Sequence, residues 1–527
     1  MFFLKISRLW ALGSLVLYWA IAVQSIQETR QSAATECSTE YFTRIAPSGI
    51  DIERVQYVTN GFFFESGNLG YPSIPLGLPY LCAIIVRNTT ANYRFGMFLP
   101  NTWNSKLLTI GSYAFLGGIN WLDMGSGVKY GMATLSTDTG HNTGRADMTW
   151  ANTTERRVNW AYQALEVKQI QRDPNIFDGA LIGAPAWDTK HLMPWLSNLA
   201  RLNLPEEMPN SINNVTLFAR LQAEVIRQCD HLDGVTDNIV SSTTACRDSF
   251  DITKVRCDTT TGEAACWSQQ EIDTALRMYD DYVTDDGKLV YKGATHSSEG
   301  EWSTYLLPAE PENFTNNVRI NFDGQYERYF MNYGPDWDIY QYNDSTVTDS
   351  EIRDETSVQA TADQYDLGTF RNTGKIILYG GLADAVVPVQ HTTLYYDRTV
   401  DAMGNIDNFF RYFQIPGMGH CTNTPDIVKA PWMIGGAGQA IQRPPYNSAW
   451  SVPLGFNDTQ HDALLALMDW VENGNPVSKI IASEFNFTDS TMQNLVLYRQ
   501  RPLCMYPRTA KWDGKGDQNI ASSWECS

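Results

Sequence analysis

The fold of this protein is decided by the stretch Lys375-Ile376-Ile377-Leu378-Tyr379-Gly380-Gly381-Leu382-Ala383-Asp384. A short apolar run bounded by glycines is typical of a buried strand. Asp384 follows that strand directly, so its carboxylate lies just past the strand's carboxyl end. In open α/β sheets this edge is where ligands and catalytic groups gather. The stretch therefore predicts a buried α/β strand with a carboxylate placed for chemistry.

A histidine follows the next predicted strand, residues 409–415, on the loop Pro416-Gly417-Met418-Gly419-His420. Hydrolases built on such sheets carry their catalytic triad in the chain order nucleophile, acid, base. The base takes the nucleophile's proton, and the acid holds the base in the correct tautomer. Taken singly, an aspartate at a strand end is commonly a turn former and a loop histidine is commonly solvated. Their order and spacing make Asp384 and His420 candidates for the acid and the base, and we expect the two side chains within hydrogen-bond reach of each other.

Strands and helices alternate on both sides of this region. Strands are predicted at residues 82–86, 93–99, 106–110, 132–136 and 177–186, and helices at 150–168 and 461–472. Such alternation is typical of an α/β sheet. The strand at 106–110 leads into the glycine-rich turn 111–118, which is a weak candidate for backbone oxyanion donors.

The segment from residue 188 to residue 360 interrupts this alternation. It contains four cysteines, many tyrosines and tryptophans, and frequent turn signals. We expect an inserted domain at residues 188–360, with the first part of the core at 26–187 and the second at 361–527. A chain of 527 residues is long enough for one catalytic domain with an insertion of this size.

Three carboxylates lie close together in the loop at residues 229–239, at Asp230, Asp233 and Asp237 around Gly234. Calcium prefers about six to eight hard oxygen ligands from a tightly turning loop. The spacing is not that of an EF-hand. The residues alone leave a solvated turn and a calcium site equally open.

Residues 1–25 are typical of a secretory signal. Lys5 and Arg8 precede an apolar run at residues 9–23, which is short for a membrane span of about 20 residues. Seven Asn-x-Ser/Thr sequons agree with export: Asn88, Asn152, Asn214, Asn313, Asn343, Asn457 and Asn486. We expect a secreted glycoprotein.

The chain is strongly acidic, with 59 acidic and 39 basic residues and a net charge of −20. Such a charge favours solubility and repels nucleic acid and anionic membrane surfaces. We therefore expect neither a nucleic-acid nor a membrane partner. The oligomeric state is left open.

Several motifs, spread over nearly the whole mature chain, resemble the tannase and feruloyl esterase family. They are Leu99-Pro100, Trp103-Asn104, Ser136-Thr137-Asp138-Thr139-Gly140-His141, Phe177-Asp178-Gly179, Gly183-Ala184-Pro185-Ala186-Trp187, the acidic loop, Asp384, Pro416-Gly417-Met418-Gly419-His420-Cys421, Trp470-Val471-Glu472-Asn473-Gly474, Arg501-Pro502-Leu503-Cys504, Gly514-Lys515-Gly516-Asp517 and Cys526. Each motif alone is weak, but the set is specific.

This resemblance implies an α/β-hydrolase core, with a lid domain inserted after the strand that ends near Trp187. It implies that Asp384 and His420 are the acid and base of a serine triad. It also implies a structural calcium ion in the lid, held by the side chains of Asp230, Asp233 and Asp237 and the carbonyls of Val235 and Ile239. The implied function is a secreted serine carboxylic ester hydrolase. Its substrates would be galloyl, feruloyl or related phenolic esters, as small molecules or on plant polymers.

The family's nucleophile is missing from this sequence. In the family a serine in a Gly-Cys-Ser-x-Gly elbow lies between the helix matching residues 160–165 and the strand matching 177–184. Here Glu166 continues directly into Val167, and no Gly-x-Ser-x-Gly occurs anywhere in the chain. The absent segment amounts to about 30–40 residues, the size of a strand with its helix. Because removing a central strand is costly, a skipped exon or a mispredicted intron explains the gap better than a genuine loss.

The cysteine count points to the same gap. Nine cysteines cannot all pair within one chain, and an exported protein is expected to form disulfides. The resemblance pairs Cys37–Cys82, Cys229–Cys246, Cys257–Cys266 and Cys504–Cys526. In the family the cysteine before the nucleophile pairs with the cysteine after the catalytic histidine. Cys421 matches the second of these, and the missing segment would contain the first.

Two other functions stay open at this stage. One is a non-catalytic, secreted, calcium-binding glycoprotein whose lid pocket binds phenolic or sugar ligands. The other is a calcium-stabilised glycoprotein with no small-molecule site. An in-frame Cys-Ser elbow recovered from the transcript at the Glu166 codon would decide for the esterase.

Overall fold

A nine-stranded mixed sheet forms the centre of the computed structural model, which describes residues 2–6, 36–59, 61, 63–144, 147–163, 166–204, 208–212, 214–257, 266–303, 324–436, 439, 456–487 and 495–527. Its strands are β1 (Phe2–Ile6), β2 (Ile50–Val58), β3 (Leu81–Asn88), β4 (Tyr93–Pro100), β5 (Lys106–Ile110), β6 (Ala133–Thr137), β7 (Gly179–Gly183), β10 (Lys375–Gly381) and β11 (Phe410–Ile415). Smaller hairpins pair β8 (Tyr282–Val283) with β9 (Leu289–Tyr291), β12 (Lys479–Phe487) with β13 (Leu495–Cys504), and β14 (Ala510–Trp512) with β15 (Trp524–Cys526).

The helices lie between these strands and in the insertion. They are α1 (Thr39–Ile45), α2 (Trp121–Lys129), α3 (Thr154–Gln163), α4 (Glu166–Arg172), α5 (Thr189–Leu202), α6 (Val215–Cys229), α7 (Thr243–Ser249), α8 (Gln269–Tyr279), α9 (Asp344–Arg353), α10 (Gly368–Arg371), α11 (Val389–Met403) and α12 (Ala463–Asn473). Among the described residues, no helix is long and apolar enough to cross a membrane.

The order of strands in the sheet is β11-β10-β7-β1-β5-β6-β4-β3-β2. Strands β7, β10 and β11 pair in parallel, as do β5 and β6, whereas β2, β3, β4 and β6 follow one another in antiparallel fashion. The predicted strand of residues 375–384 is therefore an interior strand, next to the edge strand β11, and its residues 376–381 are buried.

Strand β1 runs opposite to the two strands that it pairs with. It lies between β5 and β7 and runs antiparallel to both, with Phe2 opposite Ile110 on one side and Leu181 on the other. It follows that β5 and β7 run in the same direction, one strand-width apart. The first residues of the chain thus occupy a position that is flanked on both sides by parallel strands.

The inserted segment 188–360 packs onto the core through a large apolar cluster. Trp195, Trp267 and Trp302 of the insertion are almost completely buried and share this cluster with Phe115 and Trp160 of the core. Val387 and Ala430, which flank the predicted acid and base, belong to it as well. The insertion therefore covers the same edge of the sheet that carries the candidate residues.

The predicted elements occur close to the predicted bounds. Helices α3 and α4 overlap the helix predicted at 150–168, α4 extends past it to Arg172, and residues 164–165 lie outside the described residues. Helix α12 begins after Asp462, whose carboxylate accepts from the amides of Leu464 and Leu465. All four predicted disulfides are present, and Cys421 is not disulfide-bonded.

The sequons differ in exposure. Asn152, Asn214, Asn343 and Asn457 are exposed, Asn486 is partly buried, and Asn313 lies outside the described residues. Asn88 is 8% exposed, and its carboxamide is bonded to the amides of Thr90 and Ala91 and to the Tyr93 hydroxyl. Of the described sequons, Asn88 is thus the one least suited to carry a glycan.

We expect Gly381→Ala to destabilise the protein by about 1–3 kcal/mol, because a Cβ at that position would overlap the carbonyl oxygen of Met418. Gly380→Ala is the matched control, since its Cβ would meet Val389 Cγ2 at 3.3 Å and nothing closer. Urea denaturation of the two variants measures the difference. Equal midpoints for both would show that the loop after β11 does not pack against β10 as described.

Candidate active site

The carboxyl ends of four parallel strands meet at one edge of the sheet. Residues 111–118 follow β5, residues 184–188 follow β7, Asp384 follows β10, and His420 lies on the loop after β11. Parallel pairing places these ends side by side. This edge is where the sequence predicted the acid and the base.

Asp384 and His420 are hydrogen-bonded, as expected. The distance from Nδ1 of His420 to Oδ2 of Asp384 is 3.0 Å. The other carboxylate oxygen of Asp384 accepts from the amides of Val386 and Val387, at 2.8 Å each. Asp384 is fully buried, whereas the His420 side chain is 35% exposed. A buried, fixed carboxylate that holds Nδ1 assigns the proton-accepting role to Nε2, the geometry of an acid–base pair.

Backbone amides of the glycine-rich turn after β5 donate hydrogen bonds to neighbouring segments. Those of Gly117 and Gly118 donate to the carbonyls of Thr143 and His141, at 3.1 and 2.9 Å. The amide of Tyr113 donates to the Tyr71 hydroxyl at 3.0 Å. The two glycine amides are therefore engaged by the loop after β6, and any oxyanion role of this turn falls to its remaining amides.

Tyr113 ties this turn to the buried Asp123. Its hydroxyl donates to Asp123 Oδ2 at 2.8 Å, and Asn120 Nδ2 donates to the same oxygen at 2.7 Å. Burial raises the pKa of Asp123 to about 6. Burial also raises the pKa values of Tyr113 and Tyr379, and the charges of Asp123 and Cys421 add to both effects. Cys421 is therefore close enough to act electrostatically on Tyr113, in the turn after β5, and on Tyr379, in β10.

The position of β1 bears on the gap that the sequence predicts. A strand lying parallel to β5 and β7 between them would end at the edge that carries Asp384 and His420. Strand β1 fills this position in the opposite direction, so that Phe2, where it begins, lies at that edge. The predicted junction lies at Glu166–Val167, and residues 164–165 just before it lie outside the described residues.

The acidic loop supplies hard oxygen donors, but they face other partners. Oδ1 of Asp230 accepts from the amides of Asp237 and Ile239, and Oδ1 of Asp233 accepts from that of Val235. Oδ2 of Asp237 accepts from the buried guanidinium of Arg501. Across the part of the chain that the structure describes, no three His, Cys, Asp or Glu side chains converge as metal ligands. The donor types suit calcium and the arrangement does not gather them, so the calcium expectation stays a prediction.

One carboxylate beside the pair was not predicted from the sequence. Glu301, at the end of a short helical turn (Glu299–Glu301) in the insertion, accepts from the amide of His420 at 2.9 Å and from that of Ala385 at 3.0 Å. The only sequence signal is Gly419, since a Cβ there would overlap Glu301 Oε1. A glycine before a histidine does not by itself reveal a carboxylate more than a hundred residues away.

The chain matches a known protein family. The family model described as tannase and feruloyl esterase matches residues 83–170 and 166–527. The two matched parts overlap at residues 166–170, which adjoin the junction predicted at Glu166–Val167.

Curated relatives match over most of their length. A probable feruloyl esterase B-1 of Neosartorya fischeri is 24% identical over 554 residues, which cover 96% of this chain and 98% of the relative. An esterase of Xanthomonas campestris pv. campestris, named as uncharacterised, is 27% identical over 85% of this chain and 84% of its own. The first alignment is longer than the 527 residues of this chain. That relative therefore contains residues with no counterpart here.

Solved structures share the fold. Feruloyl esterase B from Aspergillus oryzae superposes with a TM-score of 0.79 at 22% identity, covering 94% of this chain and all of that chain. Tannin acyl hydrolase from Aspergillus niger gives a TM-score of 0.67 at 19% identity, with 94% and 95% covered. The predicted α/β-hydrolase fold class is confirmed.

We expect Asp123→Asn to flatten the pH dependence of stability. The pKa of Asp123 rises from its ordinary 3.8 to about 6 on folding, so its stabilising contribution is full below pH 3.8 and is lost as the pH rises through 6. Asparagine mimics the protonated acid, because Oδ1 of Asp123 has no hydrogen-bond partner among the described residues. Relative to the variant, the wild type should lose about 1–3 kcal/mol between pH 4 and pH 7 in urea denaturation.

Asp336→Asn is the control for this measurement, because Asp336 is exposed. Its stability should follow the wild-type curve at every pH. A curve for Asp123→Asn that is parallel to both would show that Asp123 ionises normally in the folded protein.

Proposed function

This chain belongs to the tannase and feruloyl esterase family, and from that membership we propose that the gene encodes a secreted serine esterase of phenolic carboxylic esters. The observation that carries the proposal is the Asp384–His420 hydrogen bond of 3.0 Å at the carboxyl edge of the parallel strands. The probable feruloyl esterase and the tannin acyl hydrolase among its relatives support aromatic acyl esters as the substrate class.

The two residues would divide the chemistry of acyl transfer between them. Nε2 of His420 would take the proton of a serine hydroxyl as it attacks the ester carbonyl, and later return it to the leaving alcohol. Asp384 would hold Nδ1 and stabilise the imidazolium that forms. Its burial and its two bonds from Val386 and Val387 keep the carboxylate in one orientation.

We further propose that the 527-residue chain lacks the segment that carries the nucleophile. Four observations support this: the absence of a Gly-x-Ser-x-Gly motif, the family match divided at residues 166–170, an alignment longer than the chain, and the reversed strand between β5 and β7. A segment inserted at residue 166 as a parallel strand would end between Tyr113 and Asp384. Its cysteine would then lie near Cys421.

Export of the protein would change the centre of the sheet. If residues 1–25 are removed as a signal peptide, β1 is removed with them. Strands β5 and β7 would then expose backbone groups in the middle of the sheet, which costs free energy because such groups need partners. The missing segment would supply the strand that a mature secreted protein requires. The exposed sequons at Asn152, Asn214, Asn343 and Asn457 suit an exported glycoprotein.

A calcium ion in the acidic loop is also proposed. Asp230, Asp233 and Asp237 and the carbonyls of Val235 and Ile239 would hold it, and its role would be to stabilise the insertion rather than to take part in the chemistry. The Cys229–Cys246 disulfide already constrains the start of this loop, and the Arg501 guanidinium would have to yield the Asp237 carboxylate to the ion.

The competing function is a non-catalytic secreted protein that retains the insertion and binds phenolic or sugar ligands. The lack of an elbow serine favours this alternative for the chain as it stands. The two functions predict different results once the missing segment is restored: the esterase would turn over an ester, and the non-catalytic protein would not.

We expect no serine-esterase turnover from the 527-residue chain on methyl ferulate or methyl gallate. His420 has no elbow serine to deprotonate, and in triad-deleted serine proteases about 10⁶-fold of the rate is lost. A form with the segment restored at the Glu166 codon should hydrolyse one of these esters, and replacing its elbow serine with alanine should abolish the activity. Turnover and labelling by a serine-directed inhibitor in the 527-residue chain itself would mean that the nucleophile has been misplaced.

We expect calcium to raise the melting temperature of the protein and a chelator to lower it. At an ion concentration one hundred times the dissociation constant the stabilisation is about 2.7 kcal/mol. Asp233→Asn should remove the response, whereas Asp248→Asn, at an exposed site after Cys246, should keep it. Identical melting curves with calcium and with chelator would contradict a structural ion.

A further inference from the structure

A short turn of the insertion contacts the loops that carry the candidate acid and base. This turn, Glu299–Glu301, carries two carboxylates that face in opposite directions. Glu299 is fully buried and accepts from the Tyr279 hydroxyl at 2.7 Å and the Ser297 amide at 2.8 Å, all within the insertion. Glu301 faces the core instead.

The Glu301 carboxylate bonds the two loops that carry the pair. Oε1 accepts from the amide of His420 at 2.9 Å, and Oε2 accepts from the amide of Ala385, next to Asp384, at 3.0 Å. Each carboxylate oxygen thus holds one loop. Because a carboxylate is rigid and planar, the two bonds fix the distance between the loops.

The turn itself is firmly held. The Trp302 indole donates to the Ser298 hydroxyl at 3.0 Å, and that hydroxyl donates to the carbonyl of Thr295 at 2.6 Å. Trp302 is completely buried in the apolar cluster shared by the insertion and the core. A movement of the insertion relative to the sheet would therefore be transmitted to Glu301.

The loop after β11 is shaped to receive this carboxylate. Gly419 approaches Glu301 so closely that a Cβ would overlap Oε1. Gly381, at the end of β10, packs against the carbonyls of the same loop. The glycines of this loop and strand thus serve the close approach of three segments: the insertion, the acid strand and the base loop.

We propose that Glu301 is a positioning residue for the acid–base pair, joining the insertion to the backbones that carry Asp384 and His420. The proposal rests on the proposed function in treating that pair as catalytic. Glu301 does not touch the reacting atoms. It acts by keeping Oδ2 of Asp384 against Nδ1 of His420, and by making that contact depend on where the insertion lies.

Electrostatics agree with the geometry. Burial and the neighbouring charge of Asp384 raise the pKa of Glu301 to about 7, and the two amide bonds and the charge of His420 oppose that rise. The charged groups that act on Glu301 are Asp384 from β10 and His420 from the loop after β11. Interaction between two titrating groups is mutual, so an ionised Glu301 favours the protonated form of His420.

The test measures His420 directly and needs no turnover. The rate of carbethoxylation of His420 by diethyl pyrocarbonate is followed by peptide mass spectrometry from pH 5 to pH 8, in the wild-type chain and in Glu301→Gln. Glu301→Gln removes the ionised form, so the midpoint of this profile should fall, with the largest difference from the wild type at about pH 7 and above, where Glu301 carries its charge; Glu301→Asp, which can ionise, should restore most of the shift.

Glu299→Gln is the matched control. It lies on the same turn and burial likewise raises its pKa to about 7, but its bonds are all within the insertion. Its His420 profile should match the wild type. A profile of Glu301→Gln equal to that of Glu299→Gln, whether both shift or neither does, would overturn the proposal, because general loosening of the turn affects both variants alike.

A second measurement applies if Glu301→Gln fails to fold in the 527-residue background. In the form with the missing segment restored, Glu301→Asp should lower kcat at least several-fold more than it changes KM, and Glu299→Asp should not. An unchanged kcat in Glu301→Asp would overturn the proposal. If the restored form has no turnover at all while the His420 profile shifts as expected, the proposed function fails and the positioning contact stands.

Discussion

The parallel pairing of β7, β10 and β11 is the constraint on which the rest of this structure depends. Ile376 lies opposite Ala180 on one side and Phe410 on the other, so the three strands end level with one another. The loops that follow β10 and β11 therefore begin side by side at one edge. This brings Asp384 and His420 to 3.0 Å although thirty-six residues and the whole of α11 separate them.

The same hydrogen-bonding requirement governs the position between β5 and β7. Strands inside a sheet need partners on both sides, because unpaired amide and carbonyl groups are costly where water cannot reach them. In this chain β1 supplies the hydrogen-bonding partners, but it runs antiparallel to both of its neighbours. Strand β1 thus completes the sheet in this structure, and a strand from the proposed missing segment would have to take the same position.

The insertion covers this edge of the sheet and also bonds to the loops there. Its aromatic residues share an apolar cluster with the core, and its Glu299–Glu301 turn reaches the loops of the acid and the base. Several carboxylates in or near this region, those of Asp123, Glu299 and Glu301, are held where burial raises their pKa. Each is bonded to amides or hydroxyls rather than to a cation. This arrangement suits hydrogen bonding at mildly acidic pH, where the acids need not carry a full charge.

The sequence by itself determined the strands, the order and spacing of Asp384 and His420, and the odd number of cysteines. These are local or countable properties of the chain, so the residues alone reveal them, whereas the disulfide pairing and the proposed gap follow from the family resemblance. Only the tertiary structure decided that β1 lies between β5 and β7, that the amides of Gly117 and Gly118 are already engaged, and that Glu301 spans the loops that carry Asp384 and His420. The physical reason is range: these contacts join segments far apart in the chain, and hydrogen bonds between such segments leave no periodicity in either one.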